Sequence, residues 1–158
     1  MVSFRNWLAL CLLALSPTVA ATTASEVVQV TANRIIDRIN ADRTRIHQDS
    51  GALFRLVEEL VVPKFDFRRM SAWVLGRNWR VATEPERDAF TEQFRVLLVR
   101  TYAKALLEYT DQPIRILSET PEPDGRTTTV RTEIVQKGAQ PMDITYRMTR
   151  VGDDWKVV

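Results

Sequence analysis

The chain is poor in the residue types that most often carry out chemistry. Its 158 residues include one cysteine and one histidine, His47. A zinc site would need further histidines or thiolates. The five glycines are isolated, so there is no glycine-rich phosphate loop, and no G-x-S-x-G motif accompanies His47. These absences argue against an enzyme, a metal site and a cofactor.

One pair of carboxylates leaves an enzymatic alternative open. Glu58 and Glu59 are adjacent in a stretch that we predict to be helical, and adjacent residues on a helix point apart. The pair therefore indicates a solvated helix face. A hydrolase that works with carboxylates alone stays as the minor alternative.

The sequence also lacks an apolar run long enough to cross a bilayer. The longest candidate, residues 7–15, follows Arg5 and is followed by small residues at 18–21, which is typical of a secretory signal. We predict a signal peptide at residues 1–20, with cleavage after Ala20 or Ala21 and Ala24 as the alternative. An uncleaved anchor is the second interpretation. Cys11 lies inside this run, so the exported chain would have no disulfide.

Charge of neither sign dominates. Lys and Arg number 22 and Asp and Glu number 20, a net charge of +2 that is too small to indicate a nucleic-acid partner. Hydrophobic residues make up 45% and charged residues 27%, the balance of an ordinary globular protein. We expect one domain, residues 21–158.

The first half of that domain has helical periodicity. One helix begins near Glu26 and a polar break follows within residues 40–48. A second helix is capped by Ser50 and stopped by Pro63, and a third runs from the cap Asp66 to Gly76. The apolar faces of the first two are Val28, Ala32, Ile35, Ile36 and Ile39, and Leu53, Phe54, Val57, Leu60 and Val61.

The longest amphipathic helix is predicted from Thr83 through Leu106, ending near Tyr109 or Thr110. Thr83 and Glu86 form a capping-box signature, and Pro85 suits the first turn. Its apolar face needs a partner surface, and we expect the strands that follow to supply it. The face comprises Phe90, Phe94, Leu97, Leu98, Tyr102, Ala105 and Leu106.

After Pro113 the period changes from about 3.6 to 2, the period of strands. Strands are predicted at 114–116, 127–136 and 142–149, with a fourth starting at Trp155, and Asp124-Gly125 is a strong turn signal. Val130 and Ile134 share one face, and Arg131 and Glu133 the other. Helices followed by an antiparallel meander predict an α+β fold. Periodicity alone does not separate a filled core from a cavity.

The run FDFRRMSAWVLGRNWR (65–80), followed by ATEPER (82–87) and F-x-x-x-F-x-x-L-L-x-x-x-Y-x-x-x-L (90–106), resembles the MlaC family, also called the toluene-tolerance family. The similarity continues through Val130-Arg131, DITYR (143–147) and Trp155-Lys156-Val157. It covers essentially the whole exported chain.

The resemblance implies a periplasmic phospholipid carrier that holds the acyl chains of its cargo between helices and a curved antiparallel sheet. It implies no cofactor; the bound phospholipid is the cargo. That fold is similar to nuclear-transport-factor-like cones. The implied partners are an inner-membrane ABC transporter complex, met through its MCE subunit, and an outer-membrane lipoprotein–porin complex. The implied result is maintenance of outer-membrane lipid asymmetry. Family members continue past the Trp-Lys-Val strand, whereas this sequence stops at Val158. The resemblance therefore implies either a truncated sequence or a protein that lacks part of the family's sheet and pocket wall.

Apolar periodicity and the resemblance together give a candidate acyl-chain cavity. For each member ordinary core packing is the alternative, and for the whole chain the alternative is a non-lipid periplasmic interaction module. Arg131 and Arg147, on the polar strand face, are the predicted partner-docking residues, with a solvated face as the alternative. The predicted lipid-binding residues are Val74, Leu75, Phe94, Leu97, Leu98, Tyr102, Val130, Ile134, Ile144, Tyr146 and Met148.

Overall fold

The computed structural model describes residues 22–103, 112–135, 138 and 140–158, without the side chains of His47 and Ser50. The predicted signal segment and the predicted end of the long helix lie outside these residues. Helices come first and strands after, as predicted. The elements are α1 (Ala24–Ala41), α2 (Arg43–Gln48), α3 (Ser50–Leu60), a 3-10 turn (Val62–Lys64), α4 (Phe67–Leu75), α5 (Arg77–Val81), α6 (Glu84–Tyr102), β1 (Ile114–Pro121), β2 (Thr127–Ile134), β3 (Met142–Val151) and β4 (Asp154–Val157).

Local capping signals place most helix starts. The Glu86 carboxylate accepts from both the backbone N–H and the hydroxyl of Thr83, each at 2.8 Å, which confirms the predicted pairing at the start of α6. Asp66 caps α4 by accepting from the Arg69 N–H at 3.0 Å, also as predicted. Such partners satisfy N–H groups that the first helical turn leaves free.

Three details of the helical half differ from the prediction. The short helix α5 follows Gly76, where no helix was predicted. Asp49, not Ser50, caps α3, since its carboxylate accepts from the Gly51 N–H at 2.8 Å. The polar stretch predicted as a break contains the short helix α2, and Asp42 provides the turn before it. Ile46 of α2 is buried in the helical core, which stabilises a turn of helix that the polar composition did not indicate.

The four strands form one antiparallel sheet in the order β1-β2-β3-β4, the predicted meander. The pairing aligns Ile134 of β2 with Met142 of β3, and Thr128 with Met148. One face, here called the inner face, therefore carries Val130, Ile134, Ile144, Tyr146 and Met148. A bulge at Leu117 shifts the register of β1 against β2 and brings Glu119 onto this inner face, opposite Val130.

The buried apolar residues of the described chain, except Ile134, fall into two clusters, both of which include residues of α1. The sheet cluster joins the start of α1 to the inner face, and it consists of Ala24, Val27, Val28, Val130 and Met148. The helical cluster joins the second half of α1 to the other helices, and it consists of Ile35, Ile39, Ile46, Leu53, Leu56, Val57, Val99 and Ala103.

The helix that covers the sheet is therefore α1, and the expectation that the apolar face of α6 packs on the strands was wrong for the described residues. Val99, the buried residue of α6, and Ala103, which follows the end of α6, belong to the helical cluster with residues of α1 and α3 instead. Periodicity shows that a helix has an apolar face, but it does not show which surface that face meets. Within the described chain, no helix has both the length and the apolarity required to span a membrane.

Candidate functional site

The inner face of the sheet is closed at one end. Val130 and Met148 are fully buried there, against Val27 and Val28 of α1. The indole of Trp155 packs at the margin of this cluster, and its Nε1–H donates to the Thr22 carbonyl at 2.9 Å. This end is ordinary packed core, and two of the predicted lipid-binding residues, Val130 and Met148, belong to it.

Burial decreases along β3 away from that end. Met148 is buried, Tyr146 and Ile144 are half-buried, and Met142 is 37% exposed. Ile134, opposite Met142, is buried, yet neither it nor Ile144 belongs to the sheet cluster or the helical cluster. Residues of α1 cover the inner face at Val130 and Met148. Beyond them the inner face continues as an apolar surface at Ile134 and Ile144.

Tyr146 places a polar group within this apolar surface. Its ring packs against the sheet cluster, and burial raises the pKa of its hydroxyl, while a hydrogen bond with Thr132 opposes that shift. The Thr132 hydroxyl donates to the Ile144 carbonyl at 3.3 Å. Tyr146 is therefore uncharged at neutral pH, as suits a group beside hydrocarbon.

The predicted helical members of the site differ in exposure. Leu75, Phe94 and Leu98 are half-buried, and Phe94 stacks on Phe90 with ring centroids 5.9 Å apart. In contrast, the side chains of Val74, Leu97 and Tyr102 are 60 to 64% exposed. The described structure thus brings the strand members together on one face and leaves three helix members as exposed apolar surface.

A basic and aromatic cluster that sequence analysis did not single out holds α4, α5 and α6 together. The guanidinium groups of Arg68 and Arg87 each lie 5.3 Å from the ring centre of Trp79. Glu84 pairs with both arginines, and Arg68 also pairs with Asp88. Both hydrogen bonds lower the pKa of Glu84, so this carboxylate stays charged. These contacts fix the helices that carry Leu75, Phe94 and Leu98.

The two predicted docking arginines do lie on the outer face of the sheet, but their surroundings differ. Arg147 donates to both carboxylate oxygens of Glu122, at 2.9 and 2.8 Å, and lies 5.2 Å from the ring centre of Trp73. The hydrogen bond to Glu122 raises the pKa of Arg147. Arg131 is more exposed and lies 3.7 Å from Asp143. Arg147 therefore ties α4 to the β1–β2 turn.

Two grooves open between helices. One of about 320 Å³ lies between α3 and α6 and is lined by Phe54, Glu58, Val96, Val99 and Arg100. The other, of about 220 Å³, is lined by Arg38, Asp42, Arg45, Ile46, Ala52, Arg55, Leu56 and Glu59. Neither is lined by a residue that the sequence predicted for lipid. The first groove is partly apolar. Of its lining residues, the sequence analysis named only Phe54, on an apolar helix face, and Glu58, on a solvated one.

The described residues contain no group of three His, Cys, Asp or Glu side chains placed to hold a metal ion. The inner face of the described strands presents mainly alkyl, aromatic and hydroxyl groups. Its charged groups are the Glu119 carboxylate, which is hydrogen-bonded to α1, and the Arg150 guanidinium, which lies 5.7 Å from the ring centre of Trp155. What this arrangement can do is bind apolar surface.

Comparison with known families decides the assignment. The family model described as "MlaC protein" matches residues 29–158 of this chain. The chain belongs to the MlaC family. The match includes every helix and strand described above, α1 from its second turn onward, and it confirms the resemblance found in the sequence.

Characterised relatives of this MlaC-family chain are named for transport and tolerance. The intermembrane phospholipid transport system binding protein MlaC of Haemophilus influenzae is 28% identical over 142 residues, which cover 88% of this chain and 66% of the relative. The toluene tolerance protein ttg2D of Pseudomonas putida is 28% identical over 160 residues, covering 99% and 74%. The chain thus spans slightly less than two thirds of the Haemophilus protein.

A solved structure of a phospholipid-binding protein from Ralstonia solanacearum, in complex with a phospholipid, has the same fold. Its TM-score to this chain is 0.76 at 27% identity, and the match covers 86% of this chain and 75% of that one. The helices and open antiparallel sheet of the MlaC-family chain confirm the predicted α+β class. These relatives favour a lipid protein over a non-lipid interaction module.

Proposed function

We propose that the protein is a periplasmic phospholipid carrier that binds acyl chains on the inner face of its sheet. The observation that supports this most directly is the division of the buried core into two clusters along α1. Val28 of the sheet cluster and Ile35 of the helical cluster are seven residues apart, about 10 Å of helix. Ile134 and Ile144 lie on the sheet and belong to neither cluster.

The proposed site lies between the clusters. Its floor is Val130 and Met148, its sheet wall is Ile134, Ile144 and Tyr146, and its helical side is formed by α6. The exposed Leu97 and Tyr102 of α6 and Val74 of α4, with the half-buried Leu75, Phe94 and Leu98, would flank the entrance. A phospholipid bound to the Ralstonia protein of the same fold supports this proposal.

Energetics suit a carrier that needs no covalent step and no metal. Burying one CH₂ group is worth roughly 0.8 kcal/mol against water, so a sixteen-carbon chain gains about 12 kcal/mol. A bilayer offers nearly the same gain, so transfer between membrane and protein is close to neutral. The carrier removes the aqueous barrier between two membranes.

The wider assignment rests on the family. We propose that residues 1–20 are a cleaved signal peptide, that residues 21–158 form the lipid-binding domain, and that the cargo is received from and delivered to membrane complexes. The proposed complexes are an inner-membrane ABC transporter with an MCE subunit and an outer-membrane lipoprotein–porin assembly. The "phospholipid transport system" in the Haemophilus protein's name supports such partners.

The carrier proposal is tested by lipid extraction. The protein is exported by a bacterial host, purified without detergent, and its bound lipid is measured by mass spectrometry. We expect phospholipid in wild type. In Ile144→Asp the amount of bound phospholipid should fall at least about tenfold, because the new carboxylate would lose its hydration when an acyl chain binds against it. Thr145→Asp, one residue away on the outer face, is the matched control and should retain lipid. A folded wild type without lipid, or equal retention in Ile144→Asp, contradicts the proposal.

A docking role for Arg131 and Arg147 stays a proposal with its own test. Arg131→Glu leaves the Arg147–Glu122 pair intact, whereas Arg147→Glu removes it. If Arg131 contacts a partner, Arg131→Glu should reduce site-specific crosslinking to the membrane complexes and leave the urea midpoint unchanged. Unchanged crosslinking in both variants would contradict the docking role.

A further inference from the structure

The turn between α4 and α5 forms an exposed surface that meets the proposed lipid site only at Val74. Here called the α4–α5 corner, it consists of Trp73, Val74, Arg77, Arg80 and Val81. The exposed fractions of its apolar members are 73% for Trp73, 60% for Val74 and 82% for Val81. The two helices turn at Gly76, which has a φ of +54°, and apart from its chain neighbours no atom lies within 4 Å of the place where its Cβ would be. The turn itself is therefore open to solvent.

Helical geometry groups the α5 members. Arg77, Arg80 and Val81 fall within about 100° of one another around α5, whereas Trp79 points the opposite way, into its contacts with Arg68 and Arg87. At 1.5 Å per helical residue, the whole corner spans about 15 Å or less. The three apolar residues and the two arginines thus lie close together at one corner, where the Trp73 ring also has the Arg147 guanidinium 5.2 Å from its centre.

The corner carries unbalanced positive charge. Residues 73–81 contain no acidic residue, and within the described structure neither Arg77 nor Arg80 has an ion-pair partner. The nearest carboxylates along the chain are engaged elsewhere, because Asp66 caps α4 and Glu84 pairs with Arg68 and Arg87. Two arginines beside exposed apolar groups complement a surface that has both negative charge and hydrocarbon.

We propose that the α4–α5 corner docks on the surface of an anionic phospholipid bilayer. Tryptophan favours the boundary between headgroups and hydrocarbon, and arginine extends its charge to the phosphates there. A protein partner is the less favoured occupant, because the anchors of protein interfaces fill closely packed pockets, and neither groove described above is lined by a residue of the corner. Docking would bring the entrance residue Val74 to the membrane, beside the lipid to be exchanged.

The expected strength follows from the charge. Each basic residue near an anionic surface strengthens binding about fivefold, so Arg77 and Arg80 together contribute about 30-fold. The attraction is screened within a Debye length, which shortens from about 14 Å near 50 mM salt to about 4 Å near 500 mM. Binding should therefore require anionic lipid and should weaken with salt.

Vesicle cosedimentation of the exported, purified protein tests the proposal. The probes are vesicles of phosphatidylcholine alone and vesicles with about one quarter phosphatidylglycerol, at about 50 and 500 mM salt. We expect wild type to bind the anionic vesicles at low salt and to lose at least about tenfold in affinity at high salt or without phosphatidylglycerol. Arg77→Glu/Arg80→Glu should lose at least about 30-fold.

Matched variants separate the corner from net charge and from the lipid site. Arg34→Glu/Arg126→Glu makes the same charge change at exposed positions elsewhere and should retain binding, and Val81→Ser should weaken binding more than Val30→Ser. Lipid extracted from Arg77→Glu/Arg80→Glu should equal that of wild type, so failure of docking and failure of the carrier proposal are distinguishable. No vesicle binding by wild type, or an equal loss in both charge-reversed variants, overturns the docking proposal.

Discussion

Glu119 of β1 accepts a hydrogen bond from the backbone N–H of Ser25 in the first turn of α1, at 3.0 Å, and another from the Ser25 hydroxyl. The contact joins residues 94 positions apart and places a carboxylate at the positive end of the helix. It exists because the bulge at Leu117 turns Glu119 to the inner face. The same contact fixes the helix that closes one end of the proposed lipid site.

Removing this cap should destabilise the fold. We expect Glu119→Ala to lower the free energy of unfolding by about 1–2 kcal/mol, because a helix N–H loses its acceptor. Thr120→Ala, at the next and exposed position of β1, is the control and should change it by less than about 0.5 kcal/mol. Urea denaturation followed by circular dichroism measures both. Equal effects of the two substitutions would contradict the capping role.

The two ends of β3 should respond differently to the same truncation. Met148 is fully buried in the sheet cluster, so Met148→Ala leaves a cavity and should cost about 2–5 kcal/mol. Met142 is exposed at the other end of the inner face, and Met142→Ala should cost less than about 1 kcal/mol. Comparable losses at the two positions would mean that the inner face is uniformly packed core, against the proposed cavity.

Stability should fall in acid. The hydrogen bond from the Thr127 hydroxyl lowers the pKa of Asp124, and the hydrogen bond from Arg147 lowers the pKa of Glu122. Ordinary values are 3.8 for Asp and 4.5 for Glu, so between the lowered and ordinary values the unfolded chain binds more protons than the folded one. Stability contributed by these groups is present above the ordinary pKa and lost as pH falls through the lowered one.

The measurement is the urea midpoint as a function of pH. It should be level above about pH 5.5 and decline from about pH 5 towards 3. Asp124→Asn removes one of the groups with a lowered pKa and should make the decline shallower, because one fewer proton is taken up on unfolding. A midpoint that rises as the pH falls through this window would contradict the assignment.

Sequence patterns predicted the helix caps, turns and strand faces that depend on residues close together in the chain. The Thr83–Glu86 pair, the Asp66 cap and the Asp124-Gly125 turn depend on residues a few positions apart, and the structure has all three. The alternation of Val130 and Arg131 likewise predicted the two faces of β2. These signals were sufficient for the longer helices, the strands and the α+β class, whereas the short helices α2 and α5 were not predicted.

What the patterns did not predict depends on contacts between distant parts of the chain. Both α1 and α6 have an apolar face in the sequence, yet α1 covers the sheet while α6 packs on helices. The bulge at Leu117 leaves no mark on the alternation of Ile114 and Ile116, so the inward Glu119 was missed. The contacts of Trp79 with Arg68 and Arg87 form only when three helices meet, so the sequence pattern did not predict them.

Photocrosslinking tests whether hydrocarbon lies against the inner face of the sheet. A phospholipid with a diazirine on its acyl chain is loaded into the exported protein and activated by light, and the labelled residues are identified by mass spectrometry. We expect labels at the inner-face residues Ile134, Ile144 and Tyr146 and at Leu98 of α6. Labels confined to the outer face, at Arg131, Thr145 or Arg147, would contradict the proposed lipid site.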